Sequence, residues 1–213
     1  MDAATRLNPV RFPLWTLLVC AIAGAVYSSP PLQALLIYDR AAIGDGELWR
    51  VVTGNLVHHS ASHFVYDVVP FLIAGTLMEI QQLRYSAALY LASAVLIGAA
   101  LYLGKPEIIV FGGLSGVVTA AVMFLCLHGL DETGAWRWLC LAVLVCLVTK
   151  TGAEMALGSS FLFTTEPQNF VPVPESHVVG AAAALLLFLR TKRTARHHLV
   201  TRRHGTPGAS TRS

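Results

Sequence analysis

The sequence predicts an all-α integral membrane protein, a bundle of six transmembrane helices with a long interfacial connection between the first and second. Three observations carry that prediction. Hydrophobic residues fill 55% of the 213 positions and charged residues only 13%, whereas about a quarter of a soluble domain is charged. Mean hydropathy is +0.62, and the apolar residues gather into six segments. Six crossings also sort the basic residues strongly to one side.

The first segment, 14–26, follows Arg6 and Arg11. It reads as a retained span, because no small-residue cleavage site follows it in Tyr27-Ser28-Ser29-Pro30-Pro31. Residues 30–62 mix Asp39, Asp45, Glu47, Trp49 and Arg50 with many apolar side chains, too mixed for a disordered linker. Short helices at the outer interface are predicted there, with Trp49 suited to the headgroup region. Segments 64–80, 85–103, 117–130, 135–148 and 178–189 supply the remaining spans. Several fall short of the ~20 residues that cross a bilayer, so flanking residues complete them or the bilayer thins locally.

Residues 149–175 contain Pro167, Pro172 and Pro174 and predict a loop able to cover or open a site, with 155–163 dipping into the membrane surface. After Leu189 the chain turns abruptly basic. Residues 190–213 read as a solvated tail attracted to anionic headgroups, and no metal site is assigned to its His197, His198 and His204. The expected organisation is an N-terminus of 1–13, one membrane domain of 14–189, and this tail. Cys20, Cys126, Cys140 and Cys146 lie in apolar segments without metal-ligand spacing, so they read as small apolar fillers, with no disulfide, metal or cofactor expected.

With both termini in the cytoplasm, that side holds Arg6, Arg11, Arg84, Arg137, Arg190, Lys192, Arg193, Arg196, Arg202, Arg203 and Arg212. The opposite side holds Arg40, Arg50, Lys105 and Lys150. This bias predicts the orientation by the positive-inside rule. Helices two apart then run in the same direction, so the starts of the second, fourth and sixth lie at one depth on the outer side.

Those three starts carry polar residues: His63 in HHSASHFVYD, Ser115 in FGGLSGVV and His177 in PESHVVGAA. Ionisable groups in a membrane are costly and occur mainly where they pair or do chemistry. A serine hydroxyl needs a base to become a nucleophile, and imidazole is a suitable one. Gly112, Gly113 and Gly116 flank Ser115, permitting close approach at a helix start whose free amides favour an oxyanion. The same small residues also suit helix packing, as do Gly180 and Ala184 after His177. Packing and chemistry are compatible here, since a close fourth and sixth helix would bring imidazole to hydroxyl. His63 and Asp67 stand one turn apart on one face, with His58 just outside.

WRVVTGNLVHHSASHFVYD, then GTLME, FGGLSGVV and SHVVG, resemble in order and spacing the rhomboid family of intramembrane serine proteases, over about 49–189. The resemblance implies a six-helix rhomboid-like bundle around a water-accessible cavity. It assigns Ser115 as nucleophile and His177 as general base, with His63 in the oxyanion hole. The neighbouring Gly113 and Leu114 fall at the oxyanion and substrate-binding position, while Trp49, Arg50, His58, Glu79, Gly116 and Gly180 fall at supporting ones. Where rhomboids commonly carry Asn, this chain has Asp67, which either works protonated as a donor or turns aside to orient His63. The LWRVVTGN entry and small core also resemble rhombosortases, bacterial rhomboids associated with C-terminal Gly-Gly-type anchors.

The expected activity is hydrolysis of a peptide bond in or beside a substrate's transmembrane segment, at the outer leaflet. The expected location is a bacterial inner membrane with the site toward the periplasm. Expected partners are membrane-anchored protein substrates and the bilayer, not nucleic acid. No third carboxylate is evident, so the pair reads as a dyad. Two rival readings remain: a non-catalytic rhomboid-like protein that binds membrane helices, and a small transporter or proton relay using His63, Asp67 and His177.

Overall fold

A computed structural model describes residues 12–157 and 173–204, with side chains as far as 194 in the second stretch. The chain runs through α1 (Leu14–Tyr27), α2 (Pro30–Leu36), α3 (Arg40–Gly44), α4 (Arg50–Thr53), a 3-10 turn (Gly54–Leu56), α5 (Ala61–Ile80), α6 (Ser86–Gly104), α7 (Ser115–Gly129), α8 (Ala135–Leu157) and α9 (Pro174–His204). Each of the six apolar segments falls in a helix, with only Tyr85 and Leu130 at cap positions just outside. By length and composition α5, α6 and α8 can cross a membrane, and α1 with α2 makes a fourth candidate bent by 111°. The protein is an all-α integral membrane bundle. Its β-structure, among the described residues, is one two-residue antiparallel ladder pairing β1 (Tyr38–Asp39) with β2 (Val110–Phe111).

Local chemistry sets many of these boundaries. Prolines 30 and 31 open α2 at positions whose amides have no helical acceptor anyway. Asp39 caps α3 by accepting from the Ala41 and Ala42 amides at 2.9 and 3.0 Å. Ser60 caps α5 by accepting from the His63 amide at 3.2 Å, so the helix begins just before the histidine it must present.

Distant charged groups satisfy other helix ends. Glu79, near the end of α5, accepts from the backbone amides of Trp15 (3.1 Å) and Thr16 (2.7 Å) and from the Thr16 hydroxyl (2.6 Å). A carboxylate thus sits on the positive end of α1. Buried Arg50 donates to the Ala34 and Ile37 carbonyls at 2.9 and 2.8 Å and pairs with Glu47 at 2.6 Å, while Trp49 Nε1 donates to the Leu35 carbonyl at 3.3 Å. Both residues fasten the end of α2 to α4. Arg40 similarly donates to the Tyr102 and Lys105 carbonyls at the end of α6.

Helix α7 occupies the centre, packed by α5, α6, α8 and α9, with most of its side chains buried. Helix α8 lies outside. Among its 23 residues only Cys140 and Glu154 are buried, and Leu139, Leu141, Val145, Val148 and Leu157 are exposed.

The predicted loop over 149–175 is corrected at both ends. Helix α8 continues past Val148 to Leu157 and α9 starts at Pro174. Gly152 costs a helix only about 1 kcal/mol relative to Ala, and no proline or left-handed cap stops the run of Ala, Glu, Met and Leu around it. Pro174 stands at the first position of α9, where proline is favourable. Pro167, Pro172 and most of the segment expected to dip into the membrane surface lie outside the described residues. The basic tail is corrected too: its first part continues α9 to His204, because Lys, Arg, Ala and Leu are good helix formers and the first glycine comes at 205. Residues 205–213 lie outside the described residues.

Candidate active site

Ser115 is the first residue of α7, preceded by Leu114 at the cap position. The first intrahelical bond runs from the Val118 amide to the Leu114 carbonyl at 2.9 Å. The amides ahead of it therefore look outside the helix for acceptors. Thr119, one turn on, donates its hydroxyl to the Ser115 carbonyl at 2.9 Å.

Two close contacts bracket this start. On one side Gly113 has φ +143°, a conformation side chains rarely adopt, and a Cβ there would lie 2.8 Å from His63 Nε2. On the other side a Cβ at Gly116 would lie 2.7 Å from the Ser176 carbonyl oxygen, and one at Gly180 would overlap the Gly116 carbonyl oxygen. Backbone meets backbone where α7 crosses α9. Leu114 and Ser115 are the residues between these contacts, so the serine lies between the His63 imidazole and the turn of α9 that carries His177.

His63 and Asp67 project from one face of α5, and both are nearly fully buried. Asp67 Oδ2 lies 3.3 Å from His63 Nε2 and also 3.3 Å from Nε2 of His58. The carboxylate thus sits between two imidazoles, and the same oxygen would be 3.6 Å from a Cβ at Gly113. His58 is fully buried, its ring edge-on to His63 and Phe64. His59, in the connection before α5, stacks near His63 with centroids 6.2 Å apart. Burial, then the neighbouring His63 and His58, holds His59 below the ordinary 6.5 of an imidazole. Among the described residues no group of three His, Cys, Asp or Glu side chains is placed to hold a metal ion.

The described hydrogen-bond partner of the His177 imidazole is an acidic residue from α8. Its Nδ1 lies 3.1 Å from Glu154 Oε2, and Lys150 Nζ straddles the same carboxylate, 2.9 Å from Oε2 and 2.8 Å from Oε1. Glu154 is 2% exposed. The expectation of a histidine without a carboxylate partner is therefore corrected. A fifth span that ends at Val148 leaves Glu154 in a loop; the helical spacing of Lys150 and Glu154, four residues apart, is the sequence signal that α8 continues. Its pairing with a residue 23 positions away was not readable locally.

Just outside this site, Lys105 pairs with Glu175 in the first turn of α9 at 2.6 Å. This ties the connection after α6 to the helix start that carries His177. His58 touches Asp67, while Trp49, Arg50 and Glu79 stand away from the cluster and hold helix ends. Gly180 and Gly116 form the α7–α9 crossing itself.

The Rhomboid domain family model matches residues 45–193, more than half of the chain, and so runs from the connection after α3 into α9. No curated protein matches the chain. With a helical membrane bundle that brings the TGNLVHHSASH segment, the GGLSG turn and the SHVVG helix start into contact, the chain belongs to the rhomboid family, whose members are generally intramembrane serine proteases.

Proposed function

We propose that this protein is an intramembrane serine endopeptidase in which Ser115 attacks and His177 moves the proton. The observation that carries the reading is the position of Ser115 between the Gly113–His63 contact and the Gly116–Ser176 contact, at a helix start with free amides. His177 takes the hydroxyl proton as Ser115 Oγ adds to the carbonyl carbon. The resulting oxyanion is held by amides at the start of α7 and by His63. The C–N bond breaks as His177 returns its proton to the leaving amine. Water then adds to the acyl ester, His177 takes its proton, and Ser115 leaves as the restored hydroxyl.

Asp67 serves in this reading as a positioning residue. An ionised carboxylate with Oδ2 3.3 Å from Nε2 of both His58 and His63 is placed as their shared counter-charge and orients their rings. The alternative of a protonated Asp67 donating to the oxyanion has less support, because Oδ2 faces these two ring nitrogens. The chain crosses the membrane six times with both termini in the cytoplasm, which puts the site toward the outer leaflet of a bacterial inner membrane. Its substrates are membrane-anchored proteins, and the compact core supports the rhombosortase class, which removes C-terminal Gly-Gly-type anchors.

Labelling with a fluorophosphonate serine probe tests the chemistry. Wild type is expected to be labelled while Ser115→Ala and His177→Ala are not; equal labelling of wild type and Ser115→Ala would sink the protease reading. Comparison of envelope proteins with and without the gene tests the substrate class. Intact C-terminal anchors should accumulate only when the gene is absent.

A further inference from the structure

Helix α8 buries only two of its side chains, and one of them is a carboxylate. A buried carboxylate in an apolar helix is costly unless paired, and an ion pair with Lys150 alone does not require burial, since Lys150 is one-third exposed. Had charge neutralisation been the only demand, both residues of the i,i+4 pair could have remained at the rim. Instead Glu154 points into the bundle and meets His177 Nδ1 at 3.1 Å.

We infer that Glu154 is the third member of the hydrolytic group, a positioning residue that sets the tautomer of His177 and stabilises the imidazolium formed when Ser115 gives up its proton. The inference rests on the serine-protease reading above. A carboxylate only accepts hydrogen bonds, so a bonded Nδ1 must carry the hydrogen. The neutral ring then presents an unprotonated Nε2, the state a general base needs. When that nitrogen takes the serine proton, the ring becomes cationic against an anion already in place. No reorganisation is required at that moment.

Lys150 has a supporting part. Its ammonium straddles the carboxylate, 2.8 Å from Oε1 and 2.9 Å from Oε2, so it balances the charge of Glu154 and shares Oε2 with the imidazole. Among the described residues, few other charged or titratable groups lie on the elements around His177. On α9 itself Glu175 is bound by Lys105 from the connection after α6; α7 starts at Ser115 and carries its own histidine, His128, only in its last turn. Across Gly113 lie His63 and Asp67 of α5. Glu154 is thus the carboxylate that directly contacts the proposed base.

The test is the pH dependence of fluorophosphonate labelling at Ser115, measured on the full-length protein for wild type, Glu154→Gln and Glu154→Ala. Glu154→Gln keeps an acceptor but loses the charge, so labelling should slow about 10-fold and its acid limb should move to lower pH. Glu154→Ala should slow it about 100-fold. A role in packing alone would lower the folded fraction without moving the limb. Labelling of Glu154→Gln at the wild-type rate with an unmoved limb overturns the inference while leaving the serine reading intact. Failure of that reading shows differently, as labelling of Ser115→Ala equal to wild type.

A second measurement needs no change at Glu154. In full-length protein carrying 15N-labelled histidine, assigned by difference against His177→Gln, the neutral His177 ring should carry its hydrogen on Nδ1. A hydrogen on Nε2 overturns the inference.

Discussion

Gly180 of α9 rests directly on the carbonyl of Gly116 in α7, so closely that any Cβ at 180 would overlap that oxygen. The contact sets the separation of the two helices that carry Ser115 and His177. A methyl group at 180 must push backbone rather than a flexible side chain, and overpacking of this kind costs about 1–3 kcal/mol. Gly180→Ala should therefore lower the thermal midpoint in detergent and slow Ser115 labelling together. Gly152→Ala, at an α8 position with nothing within 4 Å, is the control: it should leave labelling unchanged and raise the midpoint slightly, because Ala is the better helix former.

In the proposed mechanism His63 donates to the oxyanion, so His63→Ala would remove that donor while leaving Ser115 and His177 in place. Turnover of a membrane-anchored substrate should fall about 100-fold while the fold persists. Steady-state kinetics would show the loss in kcat rather than in KM, because the oxyanion exists only along the reaction path.

Asp67→Asn separates the two roles open to that residue. If the carboxylate positions His63 and His58 as an acceptor, the Asn amide oxygen can replace it, and the alkaline limb of the activity profile should match the unmutated protein. A protonated Asp67 that donates to the oxyanion would instead lose activity as it ionised, and Asn would extend the alkaline limb. A displaced limb in the Asn variant would return the protonated form to consideration.

Glu79→Ala should destabilise the protein without altering the chemistry. The Trp15 and Thr16 amides would lose their acceptor at the start of α1, and loss of a helix cap costs about 1–2 kcal/mol. Thermal unfolding in detergent should report the loss. Ser115 labelling of the folded fraction should keep its wild-type rate.

Acid should loosen the histidine cluster. Burial and the neighbouring His63 and His58 hold the folded His59 below 6.5, so between that depressed value and 6.5 the unfolded chain binds the extra proton. Stability contributed by neutral His59 is thus full above about pH 6.5 and falls as pH drops through the folded value. Unfolding midpoints measured from pH 7.5 to 5 should decline, and His59→Asn should flatten the decline. An equal slope in the variant would place the acid sensitivity elsewhere.

The sequence by itself determined the membrane class, the six apolar segments and the polar residues at three helix starts, because these signals are local. Hydropathy is summed over adjacent residues, and GGLSG or SHVVG each lie within a few positions. The ends of α8 and the length of α9 were less legible, since a lone glycine or a run of basic residues does not stop a helix whose neighbours favour it. Only the tertiary structure decided which polar groups meet. Glu154 reaches His177, Glu79 reaches the first turn of α1, and Asp67 stands between His58 and His63. The first two contacts join separate helices and the third joins α5 to the connection before it. Their partners are chosen by how closely the backbones approach, which the glycines at 113, 116 and 180 permit but do not specify.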